Sequence, residues 1–151
     1  MTTGTTEDER TMAMFAQLLQ VVGGWIAPLI IFLVKRQSRF VSFHALQALL
    51  LQIVHLFCVF VFLAIGLAMF AGVIFQQVAT RNATPPVGVF FLFPLVWLGF
   101  VGMWVTILIT GIVYGIKANH GEWAEYPVLG KIARNILKIG PGGTDLPPVV
   151  A

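Results

Sequence analysis

The chain has 151 residues, 58% of them hydrophobic and 10% charged, with nine Lys and Arg against six Asp and Glu for a net charge of +3. Soluble globular chains carry about 25% charged residues, so this deficit excludes an ordinary water-soluble domain and points to lipid as the solvent. The basic excess flanks hydrophobic segments and has no interleaved aromatic run, which excludes a nucleic-acid surface, and the single cysteine, Cys58, excludes an intrachain disulfide or a Cys-rich metal site.

In chain order, residues 1–8 are expected to be a disordered polar tail, with Thr6 or Asp8 available to cap a helix near Glu9. This tail lacks the basic start of a signal peptide, so insertion is expected to rely on the spans. A helical membrane domain is expected over 9–128. Its first apolar segment, 12–34, is interrupted by Gly23-Gly24 and Pro28, and is either one kinked span or a helical hairpin. The loop Lys35-Arg36-Gln37-Ser38-Arg39 follows, with three bases and no acid, which places it on the cytoplasmic side. Two long transmembrane helices are predicted at about 44–78 and 87–117, because each holds a charge-free run longer than the ~20 residues that cross a bilayer. Pro94 predicts a kink in the second. The loop 80–86 between them lies outside, which returns Lys117, Lys131, Arg134 and Lys138 to the cytoplasmic side with the carboxyl terminus.

The second long helix is rich in small residues, Gly99, Gly102, Gly111 and Gly115, the last two as a Gly-x-x-x-Gly pair that lets helix backbones approach closely. Thr106, Thr110 and Tyr114 share one face, as a contact stripe or as hydroxyls bonded to their own helix. After it, Lys117, Trp123 and Tyr126 suit the headgroup zone. Over 129–139, Leu129, Ile132, Ile136 and Ile139 recur at helical spacing opposite Lys131, Arg134 and Lys138, the pattern of a basic amphipathic helix on anionic lipid. Residues 140–151 are a Pro/Gly-rich tail.

At 100° per residue, His44, Gln47, His55 and Cys58 fall on one face of the first long helix, with Gln52 to one side. Polar groups at membrane depth face protein rather than lipid. His44 and His55 are eleven positions apart, roughly 16 Å along a helix, so they cannot share a metal ion. Each is a candidate axial ligand for haem or chlorophyll, against the plainer reading of a hydrogen-bonded packing residue; the sequence requires no cofactor. No carboxylate pair, Ser/His arrangement or glycine-rich nucleotide loop occurs at depth, so no enzymatic activity is expected.

Four ordered motifs carry a family resemblance: Glu9-Arg10-x-x-Ala13-Met14; Ala27-Pro28-Leu29-Ile30-Ile31 running into Lys35-Arg36; Phe43-His44-Ala45-x-Gln47-Ala48; and Ile116-Lys117-Ala118-Asn119-His120-Gly121-Glu122-Trp123-x-x-Tyr126-Pro127. Over Glu9 to Val128 the chain resembles small bacterial membrane proteins of a domain-of-unknown-function family distantly related to the Tic-twenty chloroplast inner-envelope translocon subunit. The resemblance implies a four-helix arrangement, hence the hairpin, and a bacterial inner membrane. It carries over no catalytic residue, and Gln17 stands where that group's first helix often has a histidine.

The expected function is a non-enzymatic small integral membrane subunit. It packs against other transmembrane proteins or itself and contacts membrane lipids, including anionic ones, as an accessory or structural part of a larger complex. A respiratory or photosynthetic complex is one candidate setting. An oligomeric translocation element like the Tic-twenty relatives, and a membrane-surface adaptor acting through the basic carboxyl-terminal helix, are the alternatives.

Overall fold

The computed structural model describes residues 4–81, 87–140 and 143, without the side chain of Val89. Its regular elements are helices, in the order α1 Glu7–Gly23, α2 Ile26–Val34, α3 Arg39–Thr80, α4 Gly88–Asn119 and α5 Leu129–Leu137. They fall into two compact units, Met1–Ile53 with Ile107–Ala151, and Val54–Thr106. α3 and α4 each contribute to both units.

α1 starts two residues before the expected Glu9, because Thr6 and Glu9 form a complete capping box. The Thr6 hydroxyl accepts from the Glu9 N–H at 3.2 Å, and Glu9 Oε2 accepts from the Thr6 N–H at 2.9 Å. Glu7 and Asp8, assigned to a disordered tail from sequence, are therefore helical. Met1–Thr3 lie outside the described residues, as do most of the 80–86 loop and most of the 140–151 tail.

The 12–34 segment is a helical hairpin. Gly24 closes α1 at φ +56°, a left-handed conformation that glycine adopts without a Cβ clash. Pro28 sits in the first turn of α2, where its missing N–H costs no hydrogen bond. α1 and α2 pack on one another. The chain then comes back to where α1 began: Lys35 Nζ meets Asp8 at 2.8 Å, and the Ser38 hydroxyl donates to Glu9 Oε1 at 2.7 Å. Ser38 also accepts from the Val41 N–H at 3.3 Å, so one hydroxyl caps α3 and ties it to α1. The Thr6 backbone N–H, and after it the Ser38 hydroxyl, hold the Glu9 carboxyl below its ordinary pKa.

Among the described residues, α3 and α4 are the two helices long and apolar enough to cross a membrane. At 1.5 Å per residue, the 42 residues of α3 extend ~63 Å, about twice a ~30 Å hydrocarbon core. Burial divides α3 accordingly. Phe40 to Ala48 are all buried, whereas Phe57 is 68% and Phe75 76% exposed. No residue in the most apolar stretch of α3 is buried, the reverse of a soluble core helix. α4 continues as helix through Pro94. It ends in a Schellman motif, with the Glu122 N–H on the Lys117 carbonyl at 3.0 Å, the Gly121 N–H on the Ala118 carbonyl at 2.9 Å, and Gly121 at φ +78°.

A hairpin places both ends of 12–34 on one membrane face, whereas a single kinked span separates them. With Cys58→Ala as background, cysteines at Gly4 and at Gln37 are expected to react with a membrane-impermeant maleimide from the same side. Labelling from opposite sides refutes the hairpin.

Candidate functional site

The densest chemistry lies inside the unit formed by 1–53 and 107–151, where the turn after α4 enters a polar pocket built by α1 and α3. α1 turns Ala13, Ala16, Gln17 and Gln20 inward, all buried. This i, i+3, i+4, i+7 spacing lays them on one helical face. Two alanines on that face allow close approach, and two glutamines supply hydrogen bonds. From α3 come His44 and Gln47, fully buried, and Gln52, 7% exposed.

Gln47 holds the turn by both ends of its amide. Its Oε1 accepts from the Tyr126 N–H at 2.7 Å, and its Nε2 donates to the Ala124 carbonyl at 3.2 Å. His44 Nε2 lies 3.1 Å from the Glu122 carbonyl. Since a carbonyl only accepts, Nε2 carries the proton in this arrangement. The Tyr126 hydroxyl donates to Gln17 Oε1 at 2.6 Å, and Gln17 Nε2 donates to the His44 carbonyl at 3.0 Å. Gln52 Nε2 donates to the Gln20 carbonyl at 2.8 Å, one turn deeper. Tyr114 Oη donates to the Glu125 carbonyl at 3.2 Å, and Arg134 pairs with the Glu125 carboxylate at 2.7 Å. Buried backbone groups left unpaired cost about 1–3 kcal/mol each. The side chains here satisfy the carbonyls of residues 122, 124 and 125 and the N–H of residue 126.

Aromatic packing closes the pocket. Phe40 and Phe43 meet the His44 ring edge-on at centroid distances of 4.7 and 5.4 Å, and Trp123 packs on both phenylalanines. Tyr126 stands at 85° to Tyr114, 4.2 Å away. Burial pushes the Tyr126 phenol above its ordinary pKa. α5 docks through Gly130 and Ala133, with Ala133 in one cluster with Phe43, Leu46 and Ile139.

These placements revise several sequence expectations. Tyr126, expected among lipid headgroups, is 5% exposed and anchors the polar network, and Trp123 is half-buried against Phe40 and Phe43. Lys117 lies over the Tyr114 ring at 5.7 Å. Arg134 is half-buried with Glu125, while Lys131 and Lys138 are exposed beside exposed Ile132 and Ile136. The one-faced stripe divides: His44 and Gln47 are buried, as is Gln52 beside it, while His55 is half-buried and Cys58 exposed. His44 is fully enclosed, with Nε2 on a carbonyl and Nδ1 buried without a hydrogen bond. A tetrapyrrole metal reaching Nε2 would have to displace the Glu122 carbonyl.

Gly111 and Gly115 face α1: a Cβ on Gly111 would stand 2.9 Å from the Gln17 carbonyl oxygen, and one on Gly115 3.3 Å from Leu18. Gly99 lies under the Phe62 ring in the 54–106 unit, whereas Gly102 faces open space. Thr106 and Thr110 donate to the carbonyls of Gly102 and Ile107 on their own helix, at 2.8 and 3.1 Å. Gln20 was missed from sequence, and Gln17 was noted only as a family position. Their signal was present, as two glutamines three apart on a face otherwise made of alanine. Among the described residues no group of three His, Cys, Asp or Glu comes together in a way that could hold a metal ion.

Residues 8–133 match the MamF/MmsF family, described as magnetosome magnetite crystal formation proteins. The chain belongs to this family. The match spans the hairpin, both long helices, the Gln47-clamped turn and the first half of α5. It overturns the Tic-twenty resemblance, and the expectation of a translocation element loses the support it drew from that resemblance. No curated protein and no solved structure matches the chain.

Two outcomes follow for the clamp. Gln47→Ala strips partners from the Tyr126 N–H and the Ala124 carbonyl, and is expected to cost about 1–3 kcal/mol in detergent unfolding, with faster hydrogen exchange at the Tyr126 amide; wild-type exchange there would refute the role. Tyr126, with its raised pKa, contributes stability that is fully present below the unfolded value near 10 and is lost as pH rises through the folded value. The stability advantage of wild type over Tyr126→Phe should therefore be constant at neutral pH and shrink above pH ~10; an advantage unchanged at high pH counts against it.

Proposed function

We propose that this chain is a small, non-enzymatic subunit of the magnetosome membrane that contributes to magnetite crystal formation by packing against other transmembrane proteins. The observation that carries this reading is the outward apolar surface of α3 and α4. Phe57, Phe75, Phe91 and Trp97 are each more than half exposed, and no residue in the most apolar stretch of α3 is buried. Apolar side chains exposed over this length of helix are covered by lipid and partner helices. The family match supplies the biological setting in place of the respiratory or photosynthetic one.

The polar side chains support the non-enzymatic part. Gln17, Gln47, Gln52 and His44 spend their hydrogen bonds on backbone groups of the same chain. Tyr126 spends its hydroxyl on Gln17. This is what a protein needs to bury a turn; of the His44 ring, only Nδ1 is left without a hydrogen bond. α5 sets exposed Val128, Ile132 and Ile136 beside Lys131 and Lys138, a disposition suited to a bilayer surface carrying anionic lipid.

The test is complementation of a deletion strain, with crystal number and size read by electron microscopy and co-purifying subunits by mass spectrometry. His55→Phe and Cys58→Ala, which alter the chemically reactive groups of the outward helix, are expected to restore wild-type crystals and the same partners. Gly111→Leu, which drives a side chain into the Gln17 carbonyl, is expected to restore neither. If His55→Phe or Cys58→Ala abolishes crystals while the protein stays inserted with its partners, side-chain chemistry rather than packing is the function.

A further inference from the structure

Within the 54–106 unit a cavity of about 390 Å³ opens between α3 and α4. Phe62, Gly66 and Phe70 line it from α3, and Leu92, Phe93 and Val96 from α4. Every lining side chain is apolar. Gly66 leaves the space open, and Pro94 stands beside it. Gly66 contributes no side chain, and a Cβ built there meets nothing within 4 Å. Pro94, between the lining residues Phe93 and Val96, removes one backbone hydrogen bond of α4.

We propose that this cavity is a phospholipid site that takes one acyl chain, with the lipid phosphate at Arg81. The volume falls within the ~300–1,000 Å³ range of small-molecule sites. A polar ligand would leave its hydrogen-bonding groups unpaired against this wall, at a cost of about 1–3 kcal/mol each, so the occupant is an alkyl chain. Arg81 is the only charged residue between Val54 and Thr106, and it is exposed at the end of α3. Val73, the lining residue nearest to it in sequence, is eight positions away, roughly 12 Å along the helix. An acyl chain hanging from a phosphate beside Arg81 reaches that depth. Charge complementarity and length thus select a bilayer phospholipid over an uncharged hydrocarbon or a second copy of the chain.

The test uses the full chain in nanodiscs containing phosphatidylglycerol with a photoactivatable acyl chain, read by mass spectrometry after crosslinking. One labelled lipid per chain is expected, mapped to the cavity wall. Gly66→Leu fills the space and is expected to lower labelling roughly tenfold, Gly66→Ala to give a partial loss, and Arg81→Gln a smaller one. Gly102→Leu, also at an open position but outside the cavity, is expected to label like wild type. Equal labelling in Gly66→Leu and Gly102→Leu overturns the site, leaving only lipid from the general annulus. Unchanged labelling together with loss of a dimer in Gly66→Leu also overturns it, and assigns the cavity to a second copy.

Discussion

The first unit depends on one amide. Gln47 meets the turn after α4 with both its oxygen and its nitrogen, at 2.7 and 3.2 Å, and so satisfies a buried backbone N–H and a partly buried backbone carbonyl. An irregular turn buried against apolar helices has no ladder of its own to close. A primary amide is the side chain that can donate and accept at once without bringing a charge into a low-dielectric site. His44, Gln17 and Tyr126 extend the same solution, and Gln52 repeats it one turn deeper. The buried glutamines are thus a structural frame for the turn, with carboxylates such as Glu9 and Glu125 kept toward the rim.

The second unit is built by the opposite rule. Between Val54 and Thr106 the only charge is Arg81, and most large side chains point outward. In lipid, apolar burial gives no net drive for helices to associate, so contacts come from fit. Gly99 beneath the Phe62 ring, and Phe62 edge-on to Phe100 at 5.7 Å, are such contacts. Where fit is incomplete, around Gly66 and Pro94, a cavity remains. Close packing in one place and open space in another follow from where glycine sits relative to an aromatic ring, which helical periodicity alone does not report.

Membership of the magnetite crystal formation family changes how this architecture is understood. The motifs that suggest a translocon relative are here the clamp itself: Phe43, His44 and Gln47 on α3, and Gly121 to Tyr126 on the turn. In this chain they serve to bury a turn, and say little about what passes through or grows beside the membrane. The functional surface is then sought on the outward faces of α3 and α4 and on α5.

Charge-free length was enough to predict two long helices, and Thr6, Gly23-Gly24 and Gly121 were legible as a helix start, a break and an end, because capping and left-handed turns are local physics; Pro28, read as a second break, lies within the first turn of α2. The inward polar face of α3 was also legible at His44 and Gln47, since polar residues avoid hydrocarbon, whereas Gln52, placed to one side of it, is buried as well. Tertiary structure alone decided the partners. It showed that Tyr126 turns inward to Gln17 rather than outward to headgroups, that Gly111 and Gly115 meet α1, and that the face stops being buried before Cys58. It also resolved 12–34 as a hairpin through Asp8–Lys35 and Glu9–Ser38, bonds between residues more than 25 positions apart. Local sequence sets what each residue can bond; which group comes within 3 Å of it depends on how distant segments close on one another, and no short-range pattern encodes that.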